Sequence, residues 1–201
     1  MKIDLHVHSM EYSACAHAYM EEQIETAISR GLDALVFTNH GRLVPQARIA
    51  ELNVRYAPFR IFGGIEITVK AGEDILVLGI HDPALEAGNW IYPDLHAFVR
   101  EHNGWMAVAH PFRYRSTIDV DLDRYPPDAL EVCSINILPS KRAHIRQVAE
   151  RLGIPVVCDS DAHVMRNIGA GYNRLKGEPE DEQGFIDLLK KGEFLCVCGM
   201  N

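Results

Sequence analysis

Apolar and polar positions alternate in short runs from the first residues onward. Ile3, Leu5 and Val7 interleave with Asp4, His6 and His8, the period of a strand with one face in a core. The period then lengthens. Ile24, Ala27 and Ile28 form one helical stripe, and Gly31 follows as a stop. The alternation repeats to the end of the chain. It predicts strands over residues 3–7, 34–38, 60–69, 75–80, 105–109, 129–132, 156–158 and 194–197. Helices are expected over 20–30, 42–56, 92–102, 141–152 and 181–191. The segment Ala71-Gly72-Glu73-Asp74 reads as a turn, and residues 113–127 read as a long polar loop.

Strands alternating with helices imply βαβ units in a parallel sheet or barrel. The chemistry-bearing side chains fall where predicted strands end: His6 and His8, His40, Glu66, His81, His110, Asp161 and His163, with Asn136 shortly after the sixth strand. A β/α barrel gathers its site from many strand ends, whereas an open doubly wound sheet uses one switch point. Seven such ends favour the closed form. With 201 residues, the chain is at the small end of that fold's range of ~200 to more than 400 residues. The expectation is an α/β protein with a distorted, reduced TIM-like (β/α)7 barrel and a metal site at the C-terminal ends of its strands. No repeat, low-complexity tract or linker divides it, so residues 1–201 are expected to be one domain.

Composition narrows the partners. A net charge of −8 disfavours long nucleic acid and anionic membranes. No apolar run approaches the ~18 residues of a membrane span, and no secretory leader is recognisable, so a cytoplasmic location is expected. The five cysteines, Cys15, Cys133, Cys158, Cys196 and Cys198, read as small hydrophobes of a reducing compartment. Cys196-x-Cys198 lacks the two-residue spacer of a zinc knuckle or redox motif. Histidine is the unusual quantity, with ten. His6 and His8, two apart on a strand, point together and make a chelate for a borderline-soft divalent cation. Asp161 and His163 repeat that geometry.

These residues, taken in order, resemble the PHP (polymerase and histidinol phosphatase) family of metal-dependent phosphoesterases. Asp4-Leu5-His6-Val7-His8-Ser9 looks like its first motif. Thr38-Asn39-His40-Gly41 looks like its second, with Asn39 where the family usually has aspartate. Gly64-Ile65-Glu66-Ile67, Ala109-His110-Pro111 and Ser160-Asp161-Ala162-His163 supply the rest, and Glu131-Val132 followed by Asn136 resembles the sixth-strand segment. His17-Ala18-Tyr19 and the strand ending at His81 are most similar to the bacterial branch that holds three metals. The resemblance implies a first metal on His6, His8, Glu66 and Asp161. Glu66 would bridge to a second ion on His81 and His110, and His17, His40 and His163 would hold a third. Asn39 is expected to orient His40 through its side-chain carbonyl.

That resemblance implies hydrolysis of a small phosphate monoester by a metal-bridging hydroxide, in the manner of histidinol phosphatase. Three divalent ions against two carboxylates leave a local charge of roughly +4, which attracts a phosphate dianion even in an acidic protein. An imidazole-rich ligand set suits zinc, manganese or iron better than magnesium or calcium. Among the arginines, Arg113 is the phosphate contact the sequence favours. Asn136 is expected to position water or substrate, with Glu66 and Asp161 at the reacting centre. Other readings stay open: a phosphodiesterase or exonuclease on nucleotides, an amidohydrolase-like hydrolase, or a non-catalytic metal-binding regulatory module.

Overall fold

A computed structural model of the chain describes residues 1–199. Nine strands form one sheet: β1 (Lys2–Val7), β2 (Ala34–His40), β3 (Arg60–Thr68), β4 (Asp74–Leu78), β5 (Trp105–Val108), β6 (Ala129–Cys133), β7 (Val156–Cys158), β8 (Gly171–Leu175) and β9 (Phe194–Cys198). Their order is β7-β6-β5-β4-β3-β2-β1-β8-β9. Five helices accompany them: α1 (Met20–Ser29), α2 (Gln46–Tyr56), α3 (Tyr92–Glu101), α4 (Arg142–Leu152) and α5 (Glu182–Lys190). Some of their ends have a visible local cause. The Asp181 side chain accepts from Gly184 N–H at 2.8 Å and caps α5. Gly153, at φ 68°, ends α4 in the left-handed conformation that glycine adopts without penalty.

The sheet curls into a nearly closed barrel, and the closure decides where the functional side chains meet. The lower half of β1 pairs antiparallel with β8 through Lys2 and Ile3. Its upper half instead meets the segment after β7: Val7 bridges to Ala162, and His8 N–H donates to Ala162 O at 2.9 Å. Two buried carboxylates plug this junction. Asp4 accepts from Ser160 N–H at 2.9 Å, and Asp159 accepts from Leu5 N–H at 2.9 Å. Between β7 and β8 a side chain replaces the ladder. Asn173 Oδ1 accepts from Cys158 N–H at 3.1 Å, and its Nδ2 donates to Cys158 O at 2.9 Å and to Asp159 Oδ1 at 2.8 Å. Here the strands come so close that a Cβ on Gly171 would stand 2.4 Å from Asp159 O.

One buried cluster fills the barrel: Ile3, Leu5, Ala34, Val36, Phe62, Leu76, Trp105, Ala107, Ala129 and Val157. Phe185, Ile186 and Leu189 of α5 join it, with Phe185 stacked on Phe62 at 4.5 Å between ring centroids, so α5 closes the end away from the strand tips. Two further clusters lie outside the barrel, one beneath α1 and α2 and the other beneath α3 and α4.

The sheet departs from the expected parallel pattern. β3 and β4 are an antiparallel hairpin, and β4 and β5 also pair antiparallel. β8, which has no counterpart among the expected strands, pairs antiparallel on both sides. β1 is irregular too, its register with β2 slipping between Asp4 and Val7. That bulge lets the consecutive residues Leu5 and His6 both face the interior, where strict alternation would have put apolar residues on one face and histidines on the other.

Candidate metal centre

At the strand-tip end, the interior positions change from apolar to ionisable. His6 comes from β1 and His8 from the residue after it, His40 from the end of β2, Glu66 from β3 and Asp74 from the start of β4. His110 follows β5, and Asp161 and His163 follow β7. His6, His8, Glu66, His110 and Asp161 are buried to 4% exposure or less. Such a concentration of titratable groups in a dry interior is costly unless each finds a partner.

The rings and carboxylates converge. His8 Nε2 lies 2.9 Å from His6 Nε2. Both nitrogens face Glu66 Oε2, at 3.4 Å from His6 and 3.2 Å from His8, and Asp161 Oδ1, at 3.4 and 3.3 Å. His110 Nε2 contacts Glu66 Oε1 at 3.0 Å and stands 3.9 Å from Asp74 Oδ2. The rings of His40 and His163 each stack on His8 at 4.3 Å. Four sets of donors thus lie within 4.8 Å of one another: His6, His8 and Glu66; His6, His110 and Asp161; Glu66, Asp74 and His110; His8, His40 and His163.

Outer groups fix the inner ones. Glu131 is fully buried and accepts from His110 N–H at 2.7 Å and Ser134 O–H at 3.2 Å, while its Oε1 lies 3.1 Å from His6 Nδ1. A proton held on Nδ1 by that carboxylate leaves Nε2 as the lone-pair donor facing the centre. Asn136 Nδ2 donates to Asp161 Oδ2 at 2.5 Å. The backbone is bent to aim these groups, for His110 and Asp161 have φ of 28° and 53°. Such conformations cost ~1–3 kcal/mol each and persist where the surroundings impose them.

Electrostatics follow from the crowding. Burial opposes charge on His6, but Asp161, Glu66 and Glu131 override it and hold its pKa well above the usual value. Burial, helped by the neighbouring His6 and His40, brings His8 down to about 4 against the pull of Asp161 and Glu66. Burial favours the neutral acid at Glu66, yet His6, His110 and His40 hold its carboxyl well below the normal range. Asp161 is lowered against burial, chiefly by His6. Deeper in the junction Asp4 is pushed up to about 6 by burial, its hydrogen bonds notwithstanding.

The donor set fits divalent cations. Glu66 Oε2 and Asp161 Oδ1 are buried and accept no hydrogen bond of sound geometry. Two imidazole nitrogens 2.9 Å apart face these orphaned oxygens. A cation between them satisfies all four, which no neutral arrangement of the same atoms can do.

Several expected residues fall elsewhere. His81 follows β4, and because β4 runs antiparallel to β3 it emerges at the opposite end of the barrel. There it meets Glu182 at 2.7 Å and lies beside Gly63. Asp74, at the start of β4, stands where His81 was expected, and the sequence reading missed it because it looked like a turn residue. His17 is exposed. Its backbone N–H donates to His163 O at 2.8 Å, but its side chain is outside the four donor sets. Asn39 does not touch the His40 ring. Its Oδ1 accepts from Ser9 N–H at 2.7 Å and Ser13 O–H at 3.0 Å, and Ser13 Oγ accepts from His40 N–H at 3.1 Å, so Asn39 braces the loop beneath. Arg113 is exposed with its guanidinium 4.9 Å from the Tyr114 ring. It borders the mouth, lining a small cavity together with Asp74 and His110. Arg42 pairs with Glu86 and Arg115 with Asp119, both on the exposed surface. A cavity of about 730 Å³ lined by Met1, Leu32, Tyr56, Pro58 and Arg60 contains none of the converging residues.

The model of the PHP domain matches residues 4–124, and that of the PHP-associated region matches residues 139–194. The chain belongs to the PHP domain family. Its membership covers the segments that carry every converging ligand except Asp161 and His163, and these fall in the PHP-associated match. A probable phosphatase of Thermoanaerobacter sp. (strain X514) is 24% identical, over 96% of this chain and 94% of that protein. A two-domain protein of Bacteroides vulgatus, described as containing a predicted PHP-like metal-dependent phosphoesterase, superposes with a TM-score of 0.75 at 15% identity, over 99% of this chain and 65% of that one. A lesion-specific endonuclease of Pyrococcus furiosus superposes with a TM-score of 0.65 at 20% identity, over 92% of this chain and 55% of that one. This PHP protein is therefore a metal-dependent hydrolase on a distorted barrel. Among the described residues no helix is long and apolar enough to cross a membrane.

Proposed function

We propose that this PHP protein is a phosphatase acting on a small phosphate monoester at a centre for three divalent ions. The convergence of His6, His8, Glu66 and Asp161 around two orphaned carboxylate oxygens carries this reading. His6, His8, Glu66 and Asp161 would hold one ion. Glu66, Asp74 and His110 would hold a second, with Asp74 in place of the expected His81. His8, His40 and His163 would hold a third, and His17, one backbone hydrogen bond away, would reach in as a further donor. The ligand chemistry favours zinc, manganese or iron. When bound, such ions neutralise phosphate charge and make water acidic enough to supply a nucleophile near neutral pH.

The protein's own groups have distinct tasks. Glu66 lies between both imidazole sets and serves two ions at once. Asn136, whose amide N–H is engaged by Asp161, positions that ligand rather than substrate. Arg113 at the mouth supplies a planar, permanently charged fork for phosphate oxygens. The relative named as a probable phosphatase, matched over nearly its whole length, supports a monoester substrate. The likeness to the endonuclease fold supports a second reading, hydrolysis of a diester, against which the net charge of −8 stands.

The test is turnover of a panel of phosphorylated metabolites by protein of measured metal content, beside p-nitrophenyl phosphate and bis-p-nitrophenyl phosphate. Monoester hydrolysis proportional to bound metal is expected. Cleavage of the diester alone would favour the second reading, and inert protein carrying its full metal complement would overturn both.

A further inference from the structure

Four of the five cysteines meet on the outer face of the barrel, away from the metal ligands. Cys133 and Cys158 are register partners on the neighbouring parallel strands β6 and β7. Cys196 and Cys198 are two apart on β9, and so project to the same side. Cys133 and Cys198 are joined in a disulfide, with their Cα atoms 5.9 Å apart. The other two thiols are the strand neighbours of that bond, Cys158 through its register with Cys133 and Cys196 two residues before Cys198. A second, independent feature puts them together. Asn173 is the backbone partner of Cys196 across β8 and β9, and its side chain binds Cys158 on both N–H and C=O. The chance reading of these cysteines as scattered small hydrophobes does not account for two matched pairs spanning the same seam.

We propose that Cys158 and Cys196 form a second disulfide beside Cys133–Cys198, making the four cysteines a thiol–disulfide site that fastens β9 to the outer face of β6 and β7. Cys196 is the attacking sulfur. It is half-buried on the last strand, and Arg146 of α4 places its guanidinium 4.0 Å from Sγ. The bond to the Cys158 thiol and the Arg146 charge bring its pKa down to about 6, so the thiolate predominates at neutral pH. Cys158 is fully buried and serves as the resolving thiol. The oxidant is a low-molecular-weight disulfide. The Cys196 thiolate attacks one of its sulfurs, forming a mixed disulfide and releasing one small thiolate, which takes up a proton. Cys158, losing its proton to solvent, then attacks the Cys196 sulfur and releases the second. The two cysteines lose two electrons and two protons, and the small disulfide gains them.

The test is disulfide mapping of the full-length, metal-loaded protein equilibrated with mixtures of reduced and oxidised glutathione, alkylated and then cut with trypsin. The fully oxidised protein is expected to yield one species joining three peptides, residues 125–141, 152–166 and 192–201. In Cys196→Ser the first and third stay joined and Cys158 is recovered alkylated. The wild-type map stands by itself should that variant fail to fold. Recovery of alkylated Cys158 and Cys196 under conditions that close Cys133–Cys198 would overturn the proposal. So would reduced protein in which stoichiometric zinc shields all four thiols, since the cluster would then be a metal site.

Discussion

Replacing Glu131 by glutamine changes one atom and should disable a ligand it does not replace. The carboxylate faces three groups: His110 N–H at 2.7 Å, Ser134 O–H at 3.2 Å and His6 Nδ1 at 3.1 Å. An amide has only one acceptor oxygen. The His110 backbone N–H cannot turn away or shed its proton, so the amide oxygen must stay on that side. The NH2 group then points at His6 Nδ1. Either two donors oppose each other in a fully buried site, or the proton of His6 moves to Nε2, the nitrogen aimed at Glu66 and Asp161. The second outcome removes the lone pair that His6 brings to the centre. Loss of such an orienting partner typically lowers metal affinity or activity ~10–100-fold, about 1.4–2.7 kcal/mol. The assay is competition for zinc and manganese against a chromophoric chelator, with kcat/KM for a monoester measured on the same samples. Ser134→Ala is the control. It removes one of the three contacts without disturbing the His6 tautomer and should cost no more than ~1 kcal/mol. Folded Glu131→Gln protein with wild-type affinity and turnover would refute the tautomer argument.

Three further outcomes are expected. Asp74→Asn should lower metal content by one ion while His81→Ala leaves it unchanged, as read by elemental analysis of the purified proteins; the reverse pattern would restore His81 as a ligand. Asn173→Leu should strand the N–H of Cys158 and take one donor each from Cys158 C=O and from Asp159 Oδ1, which keeps Leu5 N–H, costing ~3 kcal/mol and lowering Tm by roughly 6–12 °C in calorimetry, with the helices unaffected by circular dichroism. In reduced protein, alkylation of Cys196 should rise with pH about a midpoint near 6, where the Cys158 hydrogen bond and Arg146 put its thiol. Cys15, raised by burial, should react only at distinctly higher pH, and Arg146→Ala should move the Cys196 midpoint upward.

How much of this was legible depended on whether the signal was local. The helices announced themselves by period and by stops such as Gly153, and α1 to α5 all fall within the expected spans. The PHP motifs were readable because each sits on a few consecutive residues at a strand tip. Strand direction was not. The short turn over 71–74 does imply that the strand after it runs back along β3, but the βαβ pattern of the rest of the chain masked that, and on this direction turns whether Asp74 or His81 reaches the mouth. β8 was missed because Asn173 and Arg174 interrupt its apolar pattern. Its Asn173 is buried because the polar side chain replaces a missing backbone ladder, a tertiary reason invisible in the local sequence. The cysteine pairs were hidden for the same cause, since Cys133 and Cys198 are 65 residues apart.

The divided edge of β1 has a consequence for how the protein matures. β1 carries His6 and leads into His8, yet the edge it turns away from β2 is completed only by residues beyond Val156. A nascent chain therefore displays its imidazoles long before Asp161 arrives to enclose them, and closing so large a loop is slow compared with forming the helices between. The donor sets that need Asp161 or His163 are therefore completed only after the segment following β7 has been made.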